Sequence, residues 1–195
     1  MSEISETSSV CLFIGVPLSM RSLKAVANAA SDLKERSAST DFDLRWVAPA
    51  RYHVTLKYLG WTSQEVVPAI RDAVSKAIAG RKAFDMRCRD LGAFPSLDKA
   101  NVLWAGIDDR MGELSGLAKA VGSAMENLGF PQEVRAFQPH VTIARLKRAQ
   151  DLVKLTQEAP AHVFSKSWVD TLILYKTSVE SDASEYEKIA SWSLE

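Results

Sequence analysis

The stretch HVTL at His53–Leu56 recurs as HVTI at His140–Ile143, in a chain with only three histidines. In an extended strand successive side chains point to opposite faces. His53 and Thr55 therefore share one face, as do His140 and Thr142. Val54 and Leu56, like Val141 and Ile143, turn the other way, toward a core. The fold must bury one face of each strand and leave the other open, with the same imidazole and hydroxyl standing on both open faces. The spacing of the copies suggests a duplicated half of roughly 90 residues, although the two halves share little else.

The rest of the chain supplies elements for such a frame. Val10–Val16 is a short apolar run of the kind that forms a buried strand. Leu23, Val26, Ala27, Ala30 and Leu33 mark one face of a helix that fades near Ser37. Residues 42–47, FDLRWV, form a strand pattern ahead of Pro49. Thr62–Glu65, TSQE, has the form of a capping box, and Val66, Val67, Ile70, Val74 and Ile78 follow on one helical face as far as Gly80. Pro68 requires a place in the first turn, which moves the true start beyond Thr62. Phe84–Leu91 alternates apolar and polar residues, with its arginines facing out, and residues 101–107 form a further strand. Leu114, Leu117, Ala118, Val121, Met125 and Leu128 give a third helix closed by Gly129 and Pro131. A short helix near Gln150–Glu158 and strands at 162–169, 170–179 and 186–192 complete the pattern. Short helices among many strands, with no long linker, indicate an α+β protein whose helices pack on antiparallel or mixed sheets. The expected organisation is a disordered tail over 1–9 and one domain over 10–195.

Lys plus Arg equals Asp plus Glu at 24 each. That balance argues against a protein that coats nucleic acid non-specifically, because such binding scales with the phosphates neutralised. Cys11 and Cys88 sit in apolar stretches and read as buried thiols in a reducing setting. The acidic, polar N-terminus is not a secretion signal, and no apolar run is long enough to span a membrane. A cytoplasmic location is expected.

Suppose the two His strands lie side by side. Two imidazoles with ordinary pKa near 6.5 can then divide the work of acid and base at neutral pH. Two hydroxyls can hold the non-bridging oxygens of a phosphorus centre between them. The set suits in-line displacement at phosphorus. A zinc site needs three or four protein ligands, and neither segment carries a further ligand at suitable spacing, so no metal or other cofactor is expected. No G-x-S-x-G elbow is present for a serine hydrolase. His162, where Phe replaces the Thr, reads as structural. Among nearby cations, Lys57 has the parity to face the same way as His53. Strict alternation puts Arg145 on the face opposite His140, so it needs a strand end or a bulge to reach the site.

The paired H-x-T-x segments resemble the signature of the two-histidine phosphoesterases, in particular the RNA 2′,3′-cyclic phosphodiesterases, also called LigT-like 2′-5′ RNA ligases. The likeness covers CLFIGVPL, LRWVAPARYHVTLKYLG, LGAFPS, NVLWAGI, FQPHVTIARLK and DTLILYKTSV. It implies a bilobal fold, two pseudo-symmetric lobes of antiparallel sheet with helices outside and a central groove. It implies His53 as proton donor, His140 as proton acceptor, and Thr55, Thr142 and Arg145 as phosphate-binding residues. The residues alone are symmetric and leave acid and base unassigned. Lys176 departs from the acidic residue expected before the Ser in YKTSV, which bears on substrate preference.

The implied reaction opens a 2′,3′-cyclic phosphate to a 2′-phosphate without metal, and joins RNA through a 2′-5′ linkage when a 5′-hydroxyl replaces water. The implied partners are RNA ends or nucleotides bearing the cyclic phosphate, with no membrane, bound by a monomer. Two other readings compete: a non-catalytic module that binds RNA ends, and an esterase for another small phosphodiester such as ADP-ribose 1″,2″-cyclic phosphate.

Overall fold

A computed structural model of the chain describes residues 9–157, 163–177 and 186–195. Most of the expected tail, His162, Glu158 and the end of the YKTSV stretch lie outside the described residues. The strands are β1 (Ser9–Pro17), β2 (Leu44–Trp46), β3 (His53–Ser63), β4 (Phe84–Phe94), β5 (Ala100–Asp108), β6 (His140–Gln150), β7 (Val163–Val169), β8 (Thr171–Thr177) and β9 (Glu187–Ser193). The helices are α1 (Met20–Ser37), α2 (Val67–Ile78), α3 (Glu113–Glu126) and α4 (Val153–Gln157). Among the described residues the strands form one antiparallel sheet in the order β7-β4-β5-β6-β3-β1-β8-β9, with β2 beside β6.

The two halves of the sheet meet where Val54 of β3 pairs with Val141 of β6. Outward from that seam run β3-β1-β8-β9 on one side and β6-β5-β4-β7 on the other. The lobes are interlocked: β4 follows β3 in sequence but pairs with β5, and β8 returns from the second half to pair with β1. The helices cross over as well, since α1 packs against β7 while α3 packs against β3 and α2.

Strand alternation sorts the two faces. Val10, Leu12, Ile14 and Val16 of β1 join the main core with Val54, Leu56, Val141 and Ile143. The helices close over that core with Val26, Ala30 and Leu33 of α1, Ile70 and Val74 of α2, and Leu114, Leu117 and Val121 of α3. Phe13 points to the opposite face, where it forms a separate small cluster with Ile173, Tyr175 and Tyr186. This two-sided burial explains why VCLFIGV shows no polar alternation.

The helix ends follow local chemistry. Ser19 caps α1 by accepting from the Ser22 amide, and the Asp109 carboxylate accepts from the Leu114 and Ser115 amides at the start of α3. The expected capping box at Thr62 does not form. Thr62 pairs with Val10 in the sheet, Ser63 accepts from the Glu65 amide, and α2 starts only at Val67 with Pro68 in its first turn. Tertiary pairing with β1 thus overrides the local capping signal. Near the end of the second half, β6 runs on to Gln150 and α4 begins at Val153, so the strand takes the start of the expected helix. No helix among the described residues is long and apolar enough to cross a membrane.

Candidate active site

His53 opens β3 and His140 opens β6, each one residue from the valine seam. The two strands repeat one burial pattern: half-buried His and Thr alternate with buried Val and Leu or Ile, and a second buried residue follows at once. That second residue marks a bulge in each strand. Gly15 pairs with Thr55 and Ile14 with Lys57, skipping Leu56. Trp104 pairs with Thr142 and Leu103 with Ala144, skipping Ile143. A bulge reverses the parity of everything beyond it.

The reversal decides the fate of two cations. Arg145, which strict alternation would turn into the core, comes to the face of His140 and is exposed. Burial is the main cause that lowers the pKa of both imidazoles, and the positive charge of Arg145 adds to it at each. Lys57, expected beside His53, is instead 4% exposed. Its ammonium donates to the Pro131 carbonyl and lies 3.5 Å from the Glu133 carboxylate, so it anchors the segment after α3.

Each imidazole is held in the same way. Nδ1 of His53 donates to the Arg51 carbonyl at 2.7 Å, and Nδ1 of His140 donates to the Gln138 carbonyl at 2.7 Å. A carbonyl can only accept, so the proton of each neutral ring is on Nδ1 and Nε2 is left as the reacting nitrogen. Thr55 Oγ1 stands 3.0 Å from His53 Nε2 and donates to it. Burial lowers the pKa of His53 to about 4; the bond to Arg51 opposes that shift, and the charges of His140, Arg51 and Arg145 add to it. Burial also lowers His140, opposed by its bond to Gln138. His53 is therefore neutral at pH 7, and His140 is shifted in the same direction.

Aromatic rings wall both ends of the site. Phe13 lies 4.6 Å from His53, with Tyr186 edge-on at 5.3 Å and Tyr175 at 5.8 Å. Phe94 is edge-on to His140 at 4.8 Å, and Trp104 lies at 6.2 Å. Gly15 leaves room for the His53 ring, since a Cβ there would stand 2.9 Å from the Val54 carbonyl and 3.3 Å from that ring. Thr55 and His140, from different strands, line one cleft of about 1020 Å³ with Phe94, Pro95 and Phe137. Among the described residues no three His, Cys, Asp or Glu side chains converge as a metal-binding group.

The expected His/Thr pairs thus stand on strands joined at one seam, with Arg145 carried to them by the bulge. The Arg51 and Gln138 carbonyls and the aromatic walls went unnoticed in the sequence. The carbonyls carry no side-chain signal, although both lie two residues ahead of a motif histidine. The aromatics sit on other strands, and only topology brings them here.

Two histidine–threonine strands thus meet at one backbone pairing, and Thr55 of one and His140 of the other line the same cleft. The chain belongs to the LigT like Phosphoesterase family, whose model matches residues 22–104 and 107–165. An Aeropyrum pernix protein named RNA 2′,3′-cyclic phosphodiesterase is 34% identical over 129 residues, covering 65% of this chain and 72% of that one. A Geobacillus stearothermophilus protein of the same name is 30% identical over 187 residues, covering 93% of this chain, which spans 56% of that relative's length. In fold, the chain matches a Thermus thermophilus protein, TT0787, with a TM-score of 0.77 at 22% identity, covering 94% of this chain and 97% of that one. It matches E. coli LigT complexed with 3′-AMP with a TM-score of 0.73 at 24% identity, covering 96% and 99%.

Proposed function

We propose that the chain hydrolyses RNA or nucleotide 2′,3′-cyclic phosphates to 2′-phosphates by acid–base catalysis between His53 and His140. The observation that carries this reading is the pair of Nε2 atoms, each freed for chemistry by an Nδ1 bond to a carbonyl two residues upstream. The relatives named RNA 2′,3′-cyclic phosphodiesterase supply the substrate class.

In this mechanism the cyclic phosphate lies between the imidazoles, with its non-bridging oxygens toward Thr55, Thr142 and Arg145. Water attacks phosphorus from the His140 side, and its proton passes to His140 Nε2. The P–O3′ bond breaks on the far side, and His53 Nε2 gives its proton to O3′. The 2′-phosphate leaves, and proton exchange with solvent restores both rings. His53 must be protonated to act as the acid, yet it is neutral in the unliganded chain. The anionic substrate supplies the correction: its negative charge opposes the cationic neighbours that help hold His53 down. Thr55 then turns its hydroxyl from Nε2 to a phosphate oxygen. The strained ring phosphate needs no cofactor for activation, and a 5′-hydroxyl replacing water would form a 2′-5′ linkage by the same steps.

The partners on this reading are RNA ends or nucleotides, met by a cytoplasmic monomer. Its test is turnover of 2′,3′-cyclic nucleotides in EDTA, followed by ³¹P NMR. A 2′-phosphate product is expected, with activity lost in His53→Ala and His140→Ala. A 3′-phosphate product, or tight binding without turnover, would sink the mechanism.

A further inference from the structure

The aromatic walls differ at the two ends of the site. At the His53 end, Phe13 and Tyr175 are buried and stacked on one another at 5.0 Å. Tyr186 closes over them, edge-on to Phe13 at 4.9 Å, and the Arg51 guanidinium lies 4.5 Å from the centre of its ring. These rings pack on one another and on His53, whereas Trp104, among the described residues, makes only tilted ring contacts, with Phe94 at 5.4 Å and His140 at 6.2 Å.

Trp104, at the His140 end, is only partly buried. It projects from β5 on the face opposite Leu103 and Ala105, and its indole lies over β4. Two glycines make the room. A Cβ on Gly92 would collide with the indole at Trp104 Cη2, and one on Gly106 would stand 3.2 Å from Cζ3. The ring therefore rests on the backbone of two adjacent strands with no side chain beneath it. Its Nε1–H is buried and meets no acceptor among the described residues, whereas a tryptophan kept for packing alone usually finds one. A hollow of about 340 Å³ opens beside the indole, bounded by Arg89, Asp90, Asp108 and Gln138. Gln138 also supplies the carbonyl that holds His140. A backed aromatic face next to the phosphate-handling imidazole, with carboxylates and an amide around its rim, matches the needs of a nucleobase. The ring offers a surface for stacking, and the rim offers the Gln138 amide together with the Asp90 and Asp108 carboxylates, which also pair with Arg89 and Arg110.

We propose that Trp104 is the stacking platform for the nucleobase of the nucleotide whose phosphate lies between His53 and His140. The proposal deepens the nucleotide reading above and rests on it. The test is calorimetric binding of adenosine 2′-monophosphate and of inorganic phosphate. Trp104→Ala weakens the nucleotide by roughly tenfold or more and leaves phosphate binding as it is in the parent chain. Trp104→Phe retains most of the affinity. Gly92→Ala reproduces the loss with the indole still present, because the new methyl occupies the ring's place.

Equal loss of phosphate and nucleotide in Trp104→Ala would overturn the proposal. So would unchanged nucleotide affinity in both Trp104→Ala and Gly92→Ala, or a parent chain that binds the nucleotide no more tightly than phosphate. If the binding pattern holds while the parent chain fails to turn over cyclic nucleotides, it is the catalytic reading that falls.

Discussion

Val54 pairs with Val141 at the one point where β3 meets β6 among the described residues, and each valine directly follows the motif histidine of its own strand. Both side chains are fully buried. The interval between His53 and His140 is therefore tied to this one backbone pairing and to the core packed around both valines. Val54→Ala or Val141→Ala should cost about 2–3 kcal/mol of stability. Either should also lower kcat by roughly tenfold or more, because small misplacements of reacting groups are expensive. Val121→Ala, in the core on α3, is the control: it should lose similar stability and keep kcat. Equal kcat in all three variants, measured well below their melting points, would show that the seam does not set the geometry.

His53 makes stability depend on pH. Its folded pKa is about 4, against an ordinary value of 6.5. Between these values the unfolded chain binds the proton and the folded chain does not, so stability falls as pH falls from 6.5 toward 4. The full loss is up to about 3 kcal/mol. Melting temperatures across that window should drop less steeply in His53→Gln than in the parent chain. Parallel curves would mean that burial does not hold the ring neutral.

Much of this site was legible because a strand's alternation is a strong local signal. His53, Thr55, His140 and Thr142 could be placed on open faces from HVTL and HVTI alone. Arg145 and Lys57 could not, since a bulge leaves no mark in the residues that form it. Leu56 and Ile143 are ordinary core residues whose skipped pairing appears only against β1 and β5. The capping box at Thr62 failed for a related reason: a strand partner competed for the same backbone. The interlocking of the lobes, with β4 beside β5 and β8 beside β1, was hidden because pairing across the chain leaves no periodicity to read.

The charge of Arg145 reaches both histidines, and that can be tested without substrate. It lowers the pKa of His53 and of His140. Arg145→Gln should therefore raise the pH at which both rings titrate, followed by the NMR shifts of their ring protons. On the proposed mechanism the substitution should also raise KM for a cyclic nucleotide, because that mechanism sets Arg145 against the phosphate. Unmoved titrations in both rings would place Arg145 away from the site despite the bulge.

The assignment of His53 as the acid predicts a difference between two pH profiles. The profile of kcat/KM reports the free protein, and that of kcat reports the complex. In the free protein, burial and the neighbouring positive charges keep the His53 pKa at about 4. Bound phosphate adds a negative charge beside the same ring and raises it. The alkaline limb of kcat, where the acid loses its proton, should therefore lie at higher pH than the alkaline limb of kcat/KM. Replacing Thr55 with Val removes the hydroxyl that bonds His53 Nε2 and should move the limbs without abolishing the separation. Coincident alkaline limbs in the parent chain would contradict a substrate-charged His53 and favour His140 as the proton donor.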